Sequence, residues 1–339
     1  ILPLVIILLL FSSYAGERED GTLRQLLSHG ISLKSIFKGK VRAALSVVSK
    51  LLIPLAMIIV LITVFLKAGA DQSDQLMRLF YLLGSYGLYF MFFVFMAIGV
   101  SARSKNRRSA AIALFTLWFF MIVVAPRFAS DAATFSVPQP KGSIVDQSLS
   151  EARRAYSNDD AYQEQARQKI LDEYGVKEIS ELPINYRGYA LQISEEHADP
   201  LYEEVYNDLK GTYEKQENIL GLLSFLSPTT SLKQLSAGIA GTDRIHHDVF
   251  AWEAESHRRY IIKKMNGDLM YNGTDTENLY TADKELWSEV ADYDGRLPLF
   301  SSLISYYISK FVVLGIWTLI AFLFARRSTL KIDDFENIR

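Results

Sequence analysis

Residues 45–66 read LSVVSKLLIPLAMIIVLITVFL, and Lys50 is the one charge among them. As a helix rising 1.5 Å per residue, that run is about 33 Å long, enough to cross a hydrocarbon layer of about 30 Å. Lys50 sits near one end, where its stem can lie on apolar surface while its amine reaches the interface. A single soluble core does not need runs of this kind. Three others follow: Leu79–Val100, rich in Phe and Tyr; Ala110–Ala125, closed by Pro126-Arg127; and Leu299–Ala325. Proline has no N–H to donate, so the third run is expected to stop at Pro126. Ile1–Tyr14 is apolar but too short. It reads either as a membrane helix cut at its start, the chain opening on Ile1 as a fragment would, or as a signal peptide. The latter would need a basic leader and a small-x-small cleavage site, and neither is evident. The expectation is an all-α membrane protein: a bundle of about five transmembrane helices, the first truncated, plus a mainly helical extracytoplasmic domain. A soluble enzyme and a disordered chain are excluded. The absence of Cys removes disulfides, thiolate metal sites and a cysteine nucleophile.

Charge supplies the orientation. The 339 residues carry 36 Lys+Arg and 38 Asp+Glu, net −2. Residues 126–298 hold 30 acidic and 18 basic residues, net −12, which leaves 8 acidic and 18 basic, net +10, for the rest. Lys and Arg in short loops mark the cytoplasmic side. They fill the segment after the first run (Arg18, Arg24, Lys34, Lys38, Lys40, Arg42), the loop Arg103–Arg108, and the tail from Arg326-Arg327. Single crossings put these three segments on one side, with the acidic block and the Ala68–Gln75 loop opposite. The expected order is a truncated span at 1–15, a cytoplasmic loop at 16–44, and spans at 45–67 and 76–101. A basic loop at 102–109 and a span at 110–125 follow, then the extracytoplasmic domain at 126–298, a span at 299–325, and a cytoplasmic tail at 326–339.

Within the outer block, Asn158-Asp159 can cap a helix running to Tyr174, with Gly175 as its stop. Tyr202, Val205, Tyr206, Leu209 and Tyr213 share one helical face. Phe250, Ala254, Ile261 and Met265 share another, on a helix expected to end at Asn266-Gly267. Ile219–Leu226, stopped by Ser227-Pro228, is too short to span. It reads equally as a surface-lying segment or as a core helix of the outer domain.

The stretch Glu17–Lys40, EREDGTLRQLLSHGISLKSIFKGK, carries most functional information. Glu17, Glu19 and Asp20 suit the positive end of a helix. Leu23, Leu26 and Leu27 make an apolar stripe, and Gly30 ends the helix. Such a short amphipathic helix can dock into a partner's groove or lie on lipid, and the residues alone leave both open.

Glu17-x-Glu19-x-Gly21-Thr22-Leu23, Leu26-Leu27-Ser28 and Gly39-Lys40 before a span resemble the coupling-helix signature of type-2 ABC exporter permeases. Many members have proline where this chain has Gly30. Pro126-Arg127, Tyr174-Gly175-Val176, Leu182-Pro183-Ile184-Asn185, Gln192-x-Ser194-Glu195-Glu196, Ala240-Gly241-Thr242-Asp243, His246-His247 and Met265-Asn266-Gly267-Asp268 are similar to one branch of that family. That branch carries a large uncharacterised extracytoplasmic domain before its last span. The resemblance implies a permease subunit of a bacterial plasma membrane, paired with a second permease as homo- or heterodimer and driven by cytosolic ABC ATPases. Those ATPases would hold the ATP and Mg. Coupling residues by this resemblance are Glu17, Arg18, Glu19, Gly21, Thr22, Leu23, Leu26, Leu27, Gly39 and Lys40. Its rival is a membrane-anchored subunit whose outer domain binds an envelope partner and transports nothing.

No Gly-x-x-x-x-Gly-Lys-Ser/Thr loop occurs, so nucleotide hydrolysis is expected in another chain and no catalytic residue is assigned. His246, His247 and His257 lie near Asp248 and Glu253 but match no zincin spacing, and adjacent histidines on a helix point about 100° apart, so ordinary packing is expected. Gly-x-Ser-x-Gly is absent. Lys310 lies inside the last run and is expected to snorkel to the outer surface rather than serve a buried function. No basic stripe with interleaved aromatics suggests nucleic acid. No patterned set of polar residues in the spans describes a substrate.

Overall fold

The computed structural model describes residues 1–66, 71–157, 159–273, 280–295 and 297–332. It is 85% helical, with no strand among the described residues. In chain order the helices are α1 (Leu2–Leu10), α2 (Ala15–Glu19), α3 (Thr22–Ser28), α4 (Leu33–Leu66), α5 (Gln72–Arg103), α6 (Arg107–Phe119), α7 (Ala125–Ser136), α8 (Gly142–Ser157), α9 (Asp160–Tyr174), α10 (Tyr186–Leu223), α11 (Pro228–Ala240), α12 (Arg244–Asn272), α13 (Lys284–Glu289) and α14 (Phe300–Leu330). A π-helical turn, Phe120–Val124, joins α6 to α7. Four stretches are long and apolar enough to cross a membrane, which points to a multi-pass membrane protein: Leu33–Thr63, Gln72–Arg103, Arg107–Ser136 and Phe300–Leu330.

The chain forms two compact units, and the division departs from the single block 126–298. One unit holds Ile1–Ala133, Asn218–His246 and Leu297–Arg339; the other holds Thr134–Glu217 and His247–Arg296. The middle of the acidic block, 218–246, thus packs with the spans. Its α11 buries Leu232, Leu235 and Ile239, so the Ile219–Leu226 segment leads into the membrane unit rather than into an outer core.

In the first unit α5 and α14 form the centre. Phe92, Phe93 and Leu314 are fully enclosed, and edge-on ring pairs (Phe92–Trp317, 5.8 Å; Phe95–Phe322, 5.2 Å) lock the two helices. Thr318 Oγ1 donates to Leu88 O across the pair at 3.0 Å. α4 joins through Phe37, against Phe322 at 6.2 Å, whereas Ile58, Leu61 and Phe65 farther along it stay exposed as lipid-compatible surface. α4 also begins earlier than expected, so Gly39 and Lys40 lie inside the helix instead of in a loop before it.

Pro126 does not stop its helix. The helix widens into π geometry and continues as α7 to Ser136: Ala125 N–H bonds Phe120 O, five residues back, and the widened turn accommodates the proline.

In the second unit, Asp159 caps α9 by accepting from Tyr162 N (3.0 Å), and Gly175 closes it in a left-handed conformation, as the sequence indicates; Asn158 lies outside the described residues. Ile170, Leu171, Leu182 and Ile184 form a small core there. α12 runs past Asn266-Gly267 to Asn272, supported by α10 and the residue before it: Asn266 Nδ2 donates to Gln192 Oε1 (3.2 Å) and Asn185 N to Met270 O (2.8 Å). The expected apolar faces are not buried: Tyr206 is 57% exposed, and Tyr213, Phe250 and Met265 are exposed too. Ion pairs join α10 to α12 in their place: Arg258 to Glu195 and Asp199, Arg259 to Asp199 and Glu203, and Lys210 to Asp248.

Candidate functional site

The Glu17–Leu27 segment is two helices, not one. The chain turns at Asp20-Gly21, where Gly21 takes φ +77° as the N-cap of α3. Nothing lies within 4 Å of a Cβ placed there, so glycine is needed for backbone conformation and not for close packing.

Around this break the acidic and basic residues bind the chain's own spans. Ser101 Oγ of α5 accepts from Tyr14 N (3.0 Å) and Ala15 N (3.1 Å), satisfying donors at the start of α2. Arg18 reaches the end of α5, donating to Ala102 O at 3.0 Å and to Ser104 O. Glu19 accepts from Arg107 N at 3.0 Å, at the first turn of α6, and Asp20 pairs with the Arg107 guanidinium. Lys40 of α4 donates to Glu17 Oε1 (2.5 Å) and Ser13 O (2.6 Å), with its amine over the Tyr14 ring. Four side chains from one short segment and its neighbour therefore tie α2 to α4, α5 and α6.

The leucine stripe also points inward. Leu23 is 0% exposed in the core of the membrane unit, and Leu27 packs on that core. Leu26 is half-buried. The free face of α3 is polar: Thr22, Arg24, Gln25, Ser28 and His29. Gly39 is exposed on α4 and has no neighbour within 4 Å of a Cβ. Of the coupling residues, Glu17, Arg18, Glu19 and Lys40 form the clamp, Leu23 and Leu27 seat it, and Gly21 and Thr22 edge the open face. The expected coupling set left out Asp20, which the sequence places only at the helix start, and Tyr14, Ser101 and Arg107. Arg107 was visible only as one of a basic cluster, and its partner lies 87 residues away.

The opposite end of the bundle holds a second constellation. From Asn218 the chain passes through Ser224–Leu226 and Ser227-Pro228, then returns as α11. Ser227 Oγ meets Met121 O, midway along the Arg107–Ser136 helix, at 2.6 Å. Thr229 Oγ1 lies 3.0 Å from the Tyr89 hydroxyl of α5, and Ile239 O, at the far end of α11, accepts from Arg78 Nη1 at 2.9 Å. α11 is therefore the rising limb of a re-entrant hairpin whose tip sits among the spans. Non-helical backbone at such depth is tolerated only where protein surrounds it, and Ser224, Ser227, Thr229, Thr230 and Ser231 are all buried.

Two polar clusters close the top of the hairpin. Asp74 accepts from Arg78 Nε (2.6 Å) and from Phe300 N at the start of α14 (2.6 Å), while Arg78 Nη2 donates to Pro298 O (2.7 Å). Beside them Asp243 accepts from His246 Nδ1 at 2.5 Å and from the Tyr307 hydroxyl. Burial pushes the Asp243 carboxyl up, but the hydrogen bonds from Tyr307 and His246 pull it further down, to below its ordinary value. Tyr307 reaches across Gly238, where a Cβ would fall 2.2 Å from its ring, so only glycine fits at that crossing. Lys310 does not snorkel clear: it is buried, with its amine 3.8 Å from the Tyr306 ring and 3.5 Å from Tyr306 O.

The three histidines do not converge. His246 is 1% exposed and bound to Asp243, the His247 side chain is 77% exposed, and His257 packs 5.4 Å from the Tyr293 ring. Among the described residues no three His, Cys, Asp or Glu side chains are placed to share an ion.

Residues 146–295 match a family described as a domain of unknown function, DUF3526. That stretch contains the re-entrant hairpin as well as most of the second unit. No curated protein and no solved structure matches the chain.

Proposed function

We propose that this chain is the membrane-spanning permease subunit of an ABC-type exporter in a bacterial plasma membrane. It couples ATP hydrolysis by separate cytosolic ATPase subunits to transport, alongside a second permease. The basic end, with Arg18, Arg24, Arg103 and Arg107, faces the cytoplasm, and residues 126–298 belong to the opposite side apart from the hairpin that dips back among the spans. ATP and Mg stay on the partner.

One observation carries the reading: a short helical element at the basic end is clamped to three spans while presenting a polar face outward. An interfacial helix lying on lipid would turn its leucines to the bilayer. Here Leu23 serves the protein core, and Thr22, Arg24, Gln25, Ser28 and His29 are offered to a partner. A push on that face is delivered through Arg18 to α5, through Glu19 and Asp20 to α6, and through Glu17 to α4. The test is purification of the full-length protein from native membranes. An ABC ATPase should co-purify and hydrolyse ATP in a Mg-dependent manner; preparations that repeatedly lack one overturn the proposal.

The anchor reading draws on a different feature, the exposed Trp252 and Trp287 of the second unit. Turnover stimulated by substrate in vesicles separates transport from mechanical work on an envelope partner.

A further inference from the structure

The second half of the Arg107–Ser136 helix contains a break in its hydrogen bonding whose repair comes from elsewhere in the chain. In the π turn each N–H bonds a carbonyl five residues back, and Ala125 N–H does so to Phe120 O. The next donor in that register would be residue 126, bonding Met121 O, but residue 126 is proline and has no N–H. A carbonyl without a donor in an apolar layer costs several kcal/mol. Ser227 supplies the missing hydrogen: its hydroxyl donates to Met121 O at 2.6 Å and accepts from Thr229 N at 3.1 Å. Ser227 is wholly buried and is the N-cap of α11, so one hydroxyl closes the π turn and starts the returning helix.

We infer that Ser227 is a positioning residue that makes the re-entrant hairpin move with the Arg107–Ser136 helix. The same helix begins at Arg107, which holds Glu19 and Asp20 at the basic end. One continuous helix thus has its first residue in the clamp and its midpoint on the hairpin tip. A displacement of the α2–α3 element reaches the far side of the membrane by this route. α11 also bonds α5 through Thr229 and Tyr89 (3.0 Å) and meets Tyr307 of α14 at Gly238, so these contacts must adjust when the hairpin moves. The inference deepens the exporter reading and rests on it for the source of the motion. The Ser227 clamp itself does not depend on that reading.

Hydrogen exchange on the full-length protein in lipid nanodiscs tests both layers. Without nucleotide, Ser227→Ala should raise deuterium uptake several-fold in peptides covering 119–127 and 224–232, with 90–99 of α5 unchanged; Ser227→Thr, which keeps the hydroxyl, should restore the parental pattern. Equal uptake in Ser227→Ala and the parent overturns the clamp. With Mg-ATP and vanadate added to material that carries its ATPase, the parent should change uptake in both segments together, and Ser227→Ala only in 119–127. If Ser227→Ala still changes both segments as the parent does, the hairpin is driven by another route and the inference fails. A clamp present in the nucleotide-free experiment, in protein that never carries an ATPase, overturns the exporter reading and leaves the clamp in place.

Discussion

The pair α5–α14 and the pair α10–α12 solve one packing problem with opposite chemistry. α5 meets α14 through enclosed rings and aliphatic side chains, with Phe92, Phe93 and Leu314 nearly inaccessible. α10 meets α12 through Arg258, Arg259 and Lys210 against carboxylates, with Tyr206 and Phe250 left open. Between two helices in a bilayer the hydrophobic effect offers little, so close van der Waals fit holds the pair. Surface ion pairs in water each contribute about 0–1 kcal/mol and weaken with salt. The first pair is therefore built to be rigid, whereas the second stays marginal and adjustable.

The largest expected effect breaks the comparison if it is absent. Phe93→Ala, deep between α5 and its neighbours, should cost about 3–5 kcal/mol of stability, read as a lowered unfolding midpoint in detergent. Arg258→Ala combined with Arg259→Ala should cost about 1 kcal/mol. Equal losses would mean that the ion-pair ladder is as rigid as the ring-packed pair. Leu23→Ala comes next, at about 2–5 kcal/mol, because its side chain fills the core under α3. It should lower stability and ATPase association together. Arg24→Glu with Gln25→Glu alters only the exposed face of α3 and should reduce ATPase association at unchanged stability. If that pair has no effect and Leu23→Ala acts without destabilising, the docking face is the leucine side after all.

Hydropathy made the spans legible, since an apolar run of 22 residues has few other uses in a folded chain. The caps of α9 were legible too, because Asp159 and Gly175 act on backbone within a few residues. What stayed hidden depends on distant partners. Pro126 reads locally as a stop, and nothing near it shows the π turn that carries the helix past it or Ser227, 101 positions away, that meets the Met121 carbonyl left without a donor. The Leu23 stripe reads as a docking face until the spans that cover it are in place. Tyr202–Tyr213 has helical periodicity but lies beside a row of carboxylates that claims the contact with α12. Periodicity names a face, and it does not name what covers that face.

Salt sharpens the contrast between the pairs. At about 1 M NaCl the screening length falls to about 3 Å, so α10–α12 should lose amide protection while α5–α14 keeps its own. Hydrogen exchange at low and high salt reads both pairs in one sample. Loss in both, or in neither, would show that the two interfaces do not differ in kind.

The smallest effect is a pH dependence of opposite signs within the ladder. Glu255 is held below its ordinary value, chiefly by the hydrogen bond from Arg258 and further by Arg259, against the effect of burial. A depressed carboxylate adds stability above its unfolded pKa, near 4.5, and loses it as pH falls through the lower folded value. Asp199 runs the other way: burial raises it despite Arg259 and Arg258. Its stabilising share is present below its unfolded value, near 3.8, and is lost as pH rises through the raised folded value. On acidification, protonation of Asp199 should add a little stability as pH falls through its raised folded value toward 3.8, while Glu255 should remove stability as pH falls from 4.5 through its lowered folded value. Both groups are partly exposed, so each effect should stay under about 1 kcal/mol, a change of a few-fold in amide protection once intrinsic exchange rates are divided out. Asp199→Asn should abolish the gain and Glu255→Gln the loss, each leaving the other contribution intact. A monotonic profile unaltered by either substitution would place the stability of the pair outside the ladder.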